Sequence, residues 1–284
     1  MIEIRHKESG EILEVLELTE LRGADLRDMR LKGAQLSGLD LSGTHFEYAD
    51  LVGADLSRSN LRGAYFAGAH LNDANLSDAN LSEAKLGGER RSLAAMMSGC
   101  NLAGAKLDRA DLRFVELRRS NLNGASLNFA DLRDADLCGS DLTGITAQRT
   151  LFIKTNLRDA DMTRADLRDS HLNEANMIKV VLRHAQMESA SSTGFTVINL
   201  ANLEGADLRG AAMRNISAED TNMRHADLSG ADLSHAVMGG AILRSANVAG
   251  ANFAGVELAT VTMEFANFSQ ALNAKIPSYK TNLR

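Results

Sequence analysis

One periodicity governs this chain. From Leu16 to Leu86 every fifth residue is Leu or Phe; a second run extends from Leu102 to Met187 with only Ala147 small, and a third from Ile198 to Phe268 with only Ala218 small. The runs hold 15, 18 and 15 positions, each shifted by one residue from the last, so 48 pentads account for most of the 284 residues. Two residues before each centre stands a small residue, usually Ala, and the residue between is most often Asp or Asn, as in Ala24-Asp25-Leu26 and Ala231-Asp232-Leu233. A helix cannot host this pattern, because a five-residue step turns by roughly 140° and would spread the leucines over every face. Plain strand alternation fails as well, since an odd period reverses the facing at each repeat. A short extended piece followed by a corner satisfies it: two residues spaced by two point inward and the one between points out. Two inward positions in five matches a hydrophobic content of 44%. The sequence therefore predicts a coil wound around a packed axis and stabilised by stacking of successive turns.

The Ala-(Asp/Asn)-Leu-X-X pentads over residues 14 to 270 resemble the pentapeptide-repeat family. The resemblance implies an all-β fold, a right-handed quadrilateral β-helix (β-solenoid) with four pentads per coil and stacked residues 20 apart. The 48 pentads then give about 12 coils, a rod on the order of 58 Å long. Glycines two residues past the centre, at Gly23, Gly33, Gly43, Gly53 and Gly63, mark where a corner with positive φ costs least. Asn60 and Asn80, 20 apart, are placed to form a side-chain ladder along the stack. Asp111 and Asp131 are expected to stack beside stacked Arg113 and Arg133, columns of opposite sign that neutralise each other.

The chain divides into residues 1–18, a capping β-hairpin with the turn Lys7-Glu8-Ser9-Gly10; residues 19–270, the repeat, interrupted at 87–101 and 188–195; and residues 271–284, a C-terminal tail. In that tail Thr281-Asn282-Leu283 revives the motif, either as a last strand or as a surface that packs on a second copy. Each interruption is read as a looped-out corner or as a partner-binding loop, with Glu89, Arg90 and Arg91 the charges presented by the first. The family often dimerises through its C-terminal end, which implies a homodimer.

Chemistry is sparse. No phosphate-cradling, dinucleotide-binding, nucleophile-elbow or zinc-hydrolase motif is present. Within uninterrupted runs the histidines lie 25, 13 and 10 residues apart, never 20, so none stacks on another, and His225 and His235 fall on opposite faces. Neither Cys100 nor Cys138 has a histidine placed to activate it. The carboxylates recur as decoration of the repeat instead of converging as a pair. We expect no enzyme, no metal and no cofactor. The net charge of −6 argues against direct nucleic-acid binding. The longest uncharged stretches are too short and polar to cross a bilayer, and no signal-like segment opens the chain, so the expectation is a cytoplasmic protein without a membrane partner.

What remains is the outer surface. Residues 14–86 carry 12 acids against 7 bases, 102–187 carry 12 against 13, and 196–270 carry 8 against 4. The first functional expectation is a non-catalytic scaffold for protein–protein interaction. The second comes from the resemblance: quinolone-resistance members of the family imitate DNA and bind DNA gyrase or topoisomerase IV. Mimicry would use the acidic runs, with Asp25, Asp40, Asp50, Asp55, Asp207, Asp227 and Asp232 standing in for phosphates. The regular Ala-(Asp/Asn)-Leu repeat and the near-neutral middle run depart from those resistance proteins.

Overall fold

The computed structural model describes residues 1–189 and 195–280. The chain forms two compact units, Met1–Ile145 and Thr146–Arg284. Both are built from the same coil. In unit 1 the residue between the inward pair bridges in parallel to the residue 20 further on, as in Asp25↔His45, Arg30↔Asp50, Gln35↔Asp55 and Asp40↔Asn60. Four pentads therefore make one turn, and unit 1 is a four-sided β-helix. Unit 2 repeats the arrangement, with Thr146↔Asp166, Asn156↔Asn176 and Asn202↔Asn222 among its bridges.

Each side is only one bridge long, and two backbone bonds hold it. His45 accepts from the Leu26 N–H at 2.8 Å and donates its own N–H to the Ala24 carbonyl at 2.9 Å. The corner closes through Ala24 N–H to Leu21 O at 3.0 Å, with Gly23 at φ 65 as the third turn residue, the type II pattern. The glycine corners expected from the sequence are there, with φ from 64 to 65 at Gly23, Gly33, Gly43, Gly53 and Gly63. Many other corners carry side chains in the same left-handed conformation, Tyr48, Phe114, Arg164 and Leu200 among them. The geometry of the turn sets φ there, and residues that dislike it are held in place by the bonds above and below.

The inward positions form the core. Leu26, Leu56, Ala54, Ala69 and Met162 are fully buried, and Phe46 stacks on Phe66 with centroids 5.1 Å apart. Where the small inward residue is polar, its hydroxyl finds a carbonyl: Thr44 Oγ1 donates to Leu21 O at 2.6 Å and Ser140 Oγ to Leu117 O at 2.6 Å. Burying these groups thus leaves no hydroxyl unpaired.

At the start of unit 1, β1 (Ile2–Arg5) and β2 (Ile12–Leu16) pair antiparallel, with Ile2 opposite Leu16 and an irregularity between Ile4 and Arg5. The hairpin binds the coils through Gln35 N–H to Arg5 O at 2.8 Å and Lys7 N–H to Gly33 O at 2.9 Å, and Ile4 is buried. At the end of unit 2 the inward residues Ala266, Phe268 and Ala271 are only half-buried, and Tyr279 reaches back to the Ala259 carbonyl at 3.1 Å. The expected motif at Thr281-Asn282-Leu283 lies outside the described residues.

The first interruption is an extruded loop. Bridges step by 20 up to Tyr65↔Lys85 and then by 26, as in His70↔Met96 and Lys85↔Asp111. Gly68 N–H binds Leu93 O, and Ala95 N–H closes onto Leu86 O at 2.8 Å, so the corner takes up six extra residues; Gly87 and Gly88 still donate to Asp111 O and Arg113 O, and residues 89–92 project from an intact coil. The interruption is narrower than the 87–101 read from the sequence, because Met97 and Cys100 are buried at the regular inward positions of the next pentad. The second interruption also adds six residues, His171↔Val197 replacing a step of 20, but most of its Ser-rich segment, residues 190–194, lies outside the described residues.

Candidate interaction surfaces

With the interior filled, each side of a unit presents one column of outward residues. In unit 1 the first side carries Asp25, His45, Tyr65 and Lys85; the second Arg30, Asp50 and His70; the third Gln35, Asp55, Asn75, Asn101 and Asn121; the fourth Asp40, Asn60 and Asn80. The four acidic candidates of this unit, Asp25, Asp40, Asp50 and Asp55, therefore fall one on each side, not along a common line. In unit 2, Asp207 and Asp227 stack directly and Asp232 occupies the next side.

These carboxylates also have local partners. Oδ1 of Asp50, Asp55, Asp227 and Asp232 accepts the N–H two residues on, at 2.9 to 3.2 Å, and so ties the start of the corner to the side before it. That bond accounts for the Asp/Asn preference between the inward residues, whose short side chains close it without strain; at Glu257 a longer carboxylate reaches the Ala259 N–H at 3.0 Å. Arg27 binds Asp25 in a two-pronged contact and holds its carboxyl down at about 2. Arg209 does the same for Asp207, joined by Arg183 at 2.6 Å; against the opposing effect of burial they bring it to about 2. Asp40 is lowered by the hydroxyl and N–H of Ser42. Burial would raise Asp55, but hydrogen bonds from Ser57, Asn75 and Gln35 outweigh it and keep the carboxyl below the ordinary range.

The stacking expectations hold. Asn60 Nδ2 donates to Asp40 Oδ1 at 2.9 Å and Asn80 Nδ2 to Asn60 Oδ1 at 3.3 Å. A longer ladder runs Asn121 to Asn101 to Asn75 to Asp55, every step 3.1 Å. Both begin at an aspartate, which only accepts, and every amide donates toward the N-terminus. Asp111 and Asp131 stack, with Arg113 on Asp111 at 2.8 Å and Arg133 on Asp131 at 2.6 Å.

The loop places Glu89, Arg90 and Arg91 in solvent, Arg91 leading a short 3-10 turn, Arg91–Leu93. Arg91 Nε lies 3.9 Å from Glu116, a weak surface pair. Next to the loop root, Tyr48 is 55% exposed with its ring over Gly68, and His45 stacks on Tyr65 with centroids 4.5 Å apart. The sequence reading passed over these aromatics, whose 20-residue spacing and proximity to the loop are the signal that could have found them. Burial raises the Cys100 thiol to about 12, and its Sγ donates to Leu71 O. His184, His225 and His235 stand at left-handed corners, and no group of three potential metal ligands occurs among the described residues.

The family described as Pentapeptide repeats matches in eight copies, over residues 19–58, 49–88, 95–128, 130–169, 160–191, 201–240 and 238–272. The chain belongs to the pentapeptide-repeat family. None of the curated proteins matches it. Among solved structures it is similar to HetL, a pentapeptide repeat protein involved in heterocyst differentiation regulation from the cyanobacterium Nostoc sp., at 28% identity over 86% of this chain and 89% of that one, with a TM-score of 0.30. It is similar to trypsin-treated QnrB1, a plasmid-mediated fluoroquinolone resistance protein, at 21% identity over 84% and 94%, TM-score 0.35. A pentapeptide repeat protein of the Arabidopsis thaliana thylakoid lumen shares 32% identity over 39% and 69%, TM-score 0.21.

Proposed function

We propose that this pentapeptide-repeat protein is a non-catalytic, cytoplasmic scaffold that binds another protein through its outer surface. The observation that carries the reading is the loop: a six-residue insertion at one corner of an otherwise unbroken coil presents Arg90 and Arg91 to solvent, with Tyr48 beside its root. Arginine and tyrosine are the residues that dominate protein interfaces, and a loop on a rigid support loses little entropy on binding. The hairpin acts as a cap on the first coils, and the half-buried Ala266, Phe268 and Ala271 favour a homodimer through the C-terminal end.

The second reading, DNA mimicry toward a type II topoisomerase, is supported by the acidic balance and by the stacked Asp207 and Asp227. It is weakened by the scatter of Asp25, Asp40, Asp50 and Asp55 over four sides and by the arginines that neutralise Asp25 and Asp207. The deciding experiment uses three proteins: the full chain, the full chain lacking residues 87–92, and an R90E/R91E variant. Each is tested for capture of a partner from cell extract by cross-linking and for inhibition of gyrase supercoiling. Capture of one partner by the full chain, lost in both variants, supports the scaffold reading. Supercoiling inhibition that survives both variants and is lost when Asp207 and Asp227 become Asn would replace it with mimicry.

A further inference from the structure

The coil uses the N–H of each corner residue but leaves its carbonyl outside the ladder. Gly43 N–H, for instance, donates to Arg62 O at 2.9 Å, while Gly43 O receives no hydrogen bond from the described residues. At one corner of unit 1 the chain itself takes up such carbonyls. The segment after β1 crosses there, Lys7 N–H donating to Gly33 O at 2.9 Å and Lys7 Nζ to Gly53 O at 2.6 Å. The His6 ring lies on Gly33, where any Cβ would collide with it. Glycine at Gly33 is what lets the His6 ring lie on the corner, while Lys7, first residue of the hairpin turn, reaches Gly53 on the next coil.

Two corners further round, the same construction is repeated and open. Gly23, Gly43 and Gly63 stack at φ 64 to 65, with nothing within 4 Å of the place each Cβ would take. They floor a groove of about 690 Å³ walled by Glu20, Arg22, Asp40, Ser42, Arg62 and Glu83. Arg62 is already held by Glu83 at 2.9 Å, and Asp40 Oδ1 is shared by Ser42 and Asn60. Three carboxylates face two guanidiniums, and the corner carbonyls add further acceptors, so the groove as a whole favours a cation.

We propose that the Gly23–Gly43–Gly63 groove is a docking site for a segment of a partner protein that presents a lysine, its N–H and its ammonium donating to corner carbonyls on successive coils as those of Lys7 do at Gly33 and Gly53. This deepens the scaffold reading by assigning one of its contacts, and its test is independent of the loop. The probe is a capped heptapeptide copying residues 3–9 of this chain, added to the isotopically labelled full-length protein while backbone amide resonances are followed. Two further peptides replace its lysine by norleucine or by glutamate. The expected result is saturable shifts at the amides of Gly23, Gly43 and Gly63, at least tenfold weaker binding of the norleucine peptide, and loss of the shifts in a G43N/G63N variant. Asparagine accepts the left-handed conformation and enters open space, so that variant keeps the fold, verified by an unchanged thermal midpoint. No shift at millimolar peptide, tighter binding of the glutamate peptide, or shifts confined to Gly33 and Gly53 would each overturn the proposal. The scaffold reading fails separately, if the loop variants capture the same partners as the full chain.

Discussion

The amide ladders have a direction, and exchanging Asp and Asn should therefore cost more stability at one place than at another. Asn101 sits inside the third-side ladder of unit 1, donating to Asn75 Oδ1 and accepting from Asn121, each at 3.1 Å. In N101D the bond from Asn121 survives, but the bond to Asn75 is lost and two acceptors are left about 3 Å apart. A lost hydrogen bond is worth about 1 kcal/mol, and the facing lone pairs in this half-buried position add a similar amount, so the expected loss is about 2 kcal/mol at pH 7. Asp55, at the ladder's start, only accepts, from Asn75 at 3.1 Å and Ser57 N–H at 3.0 Å. An asparagine oxygen serves both, but its amide group faces the Gln35 and Ser57 side-chain donors, so D55N should lose about 1 kcal/mol, half the loss of N101D. Acid supplies a second arm. The new carboxyl of N101D gains a hydrogen bond only when protonated, so its folded pKa lies above the unfolded value of about 3.9. Its deficit is complete at neutral pH and closes as pH falls through that raised pKa. Urea unfolding at pH 7 and pH 4 measures both arms. Equal losses in the two variants, or a deficit in N101D that does not shrink at pH 4, would refute the directional account.

Three further outcomes follow from the same structure. Phe66→Ala removes a fully buried ring stacked on Phe46 and should cost about 3–5 kcal/mol, read from the urea midpoint. Leu200, 60% exposed and held at φ 60, contributes strain without much packing; Leu200→Gly should raise the thermal midpoint by the equivalent of about 0.5–1 kcal/mol, and a fall would show that the corner carries no such strain. Asp207, held near 2 by Arg209 and Arg183, contributes stability that is complete above about pH 4 and drains away as pH drops toward 2. Its replacement by Asn should flatten the acid limb of a stability–pH profile over that interval and leave the profile at pH 6 to 8 parallel to the parent.

The coil was legible because its rule is local: a large inward residue, a small inward residue and an outward residue whose oxygen reaches the N–H two positions on. The partnering of Asn60 with Asn80, and of Asp111 and Asp131 with their arginines, followed from counting in twenties. The same arithmetic would have separated Asp25, Asp40, Asp50 and Asp55 onto four sides, because none of their spacings is a multiple of 20. Other features had no local signature. Nothing in Tyr48 or Leu200 announces a left-handed φ, which the turn imposes and the coils on either side enforce. Met97 and Cys100 depart from the Ala-(Asp/Asn)-Leu pattern yet fill the inward positions, so the interruption looked longer in sequence than it is in space. The groove over Gly23, Gly43 and Gly63 depends on side chains from three coils, and only the Lys7 contacts on the matching corner give it a meaning.

The six-residue loop separates two kinds of inheritance within one chain. Because Gly68 binds Leu93 and Ala95 binds Leu86, cutting out 87–92 joins Leu86 to Leu93 and brings Met97 five residues after Leu86, where the next inward side chain belongs. The splice therefore needs no repacking of the interior, only Ala94 taking a corner otherwise suited to glycine. The segment can be lengthened, recoded or discarded while the coil keeps its own packing rule. Similarity scored over the whole length of such a protein will mostly record the handle, while the part that decides what it grips can change between close relatives.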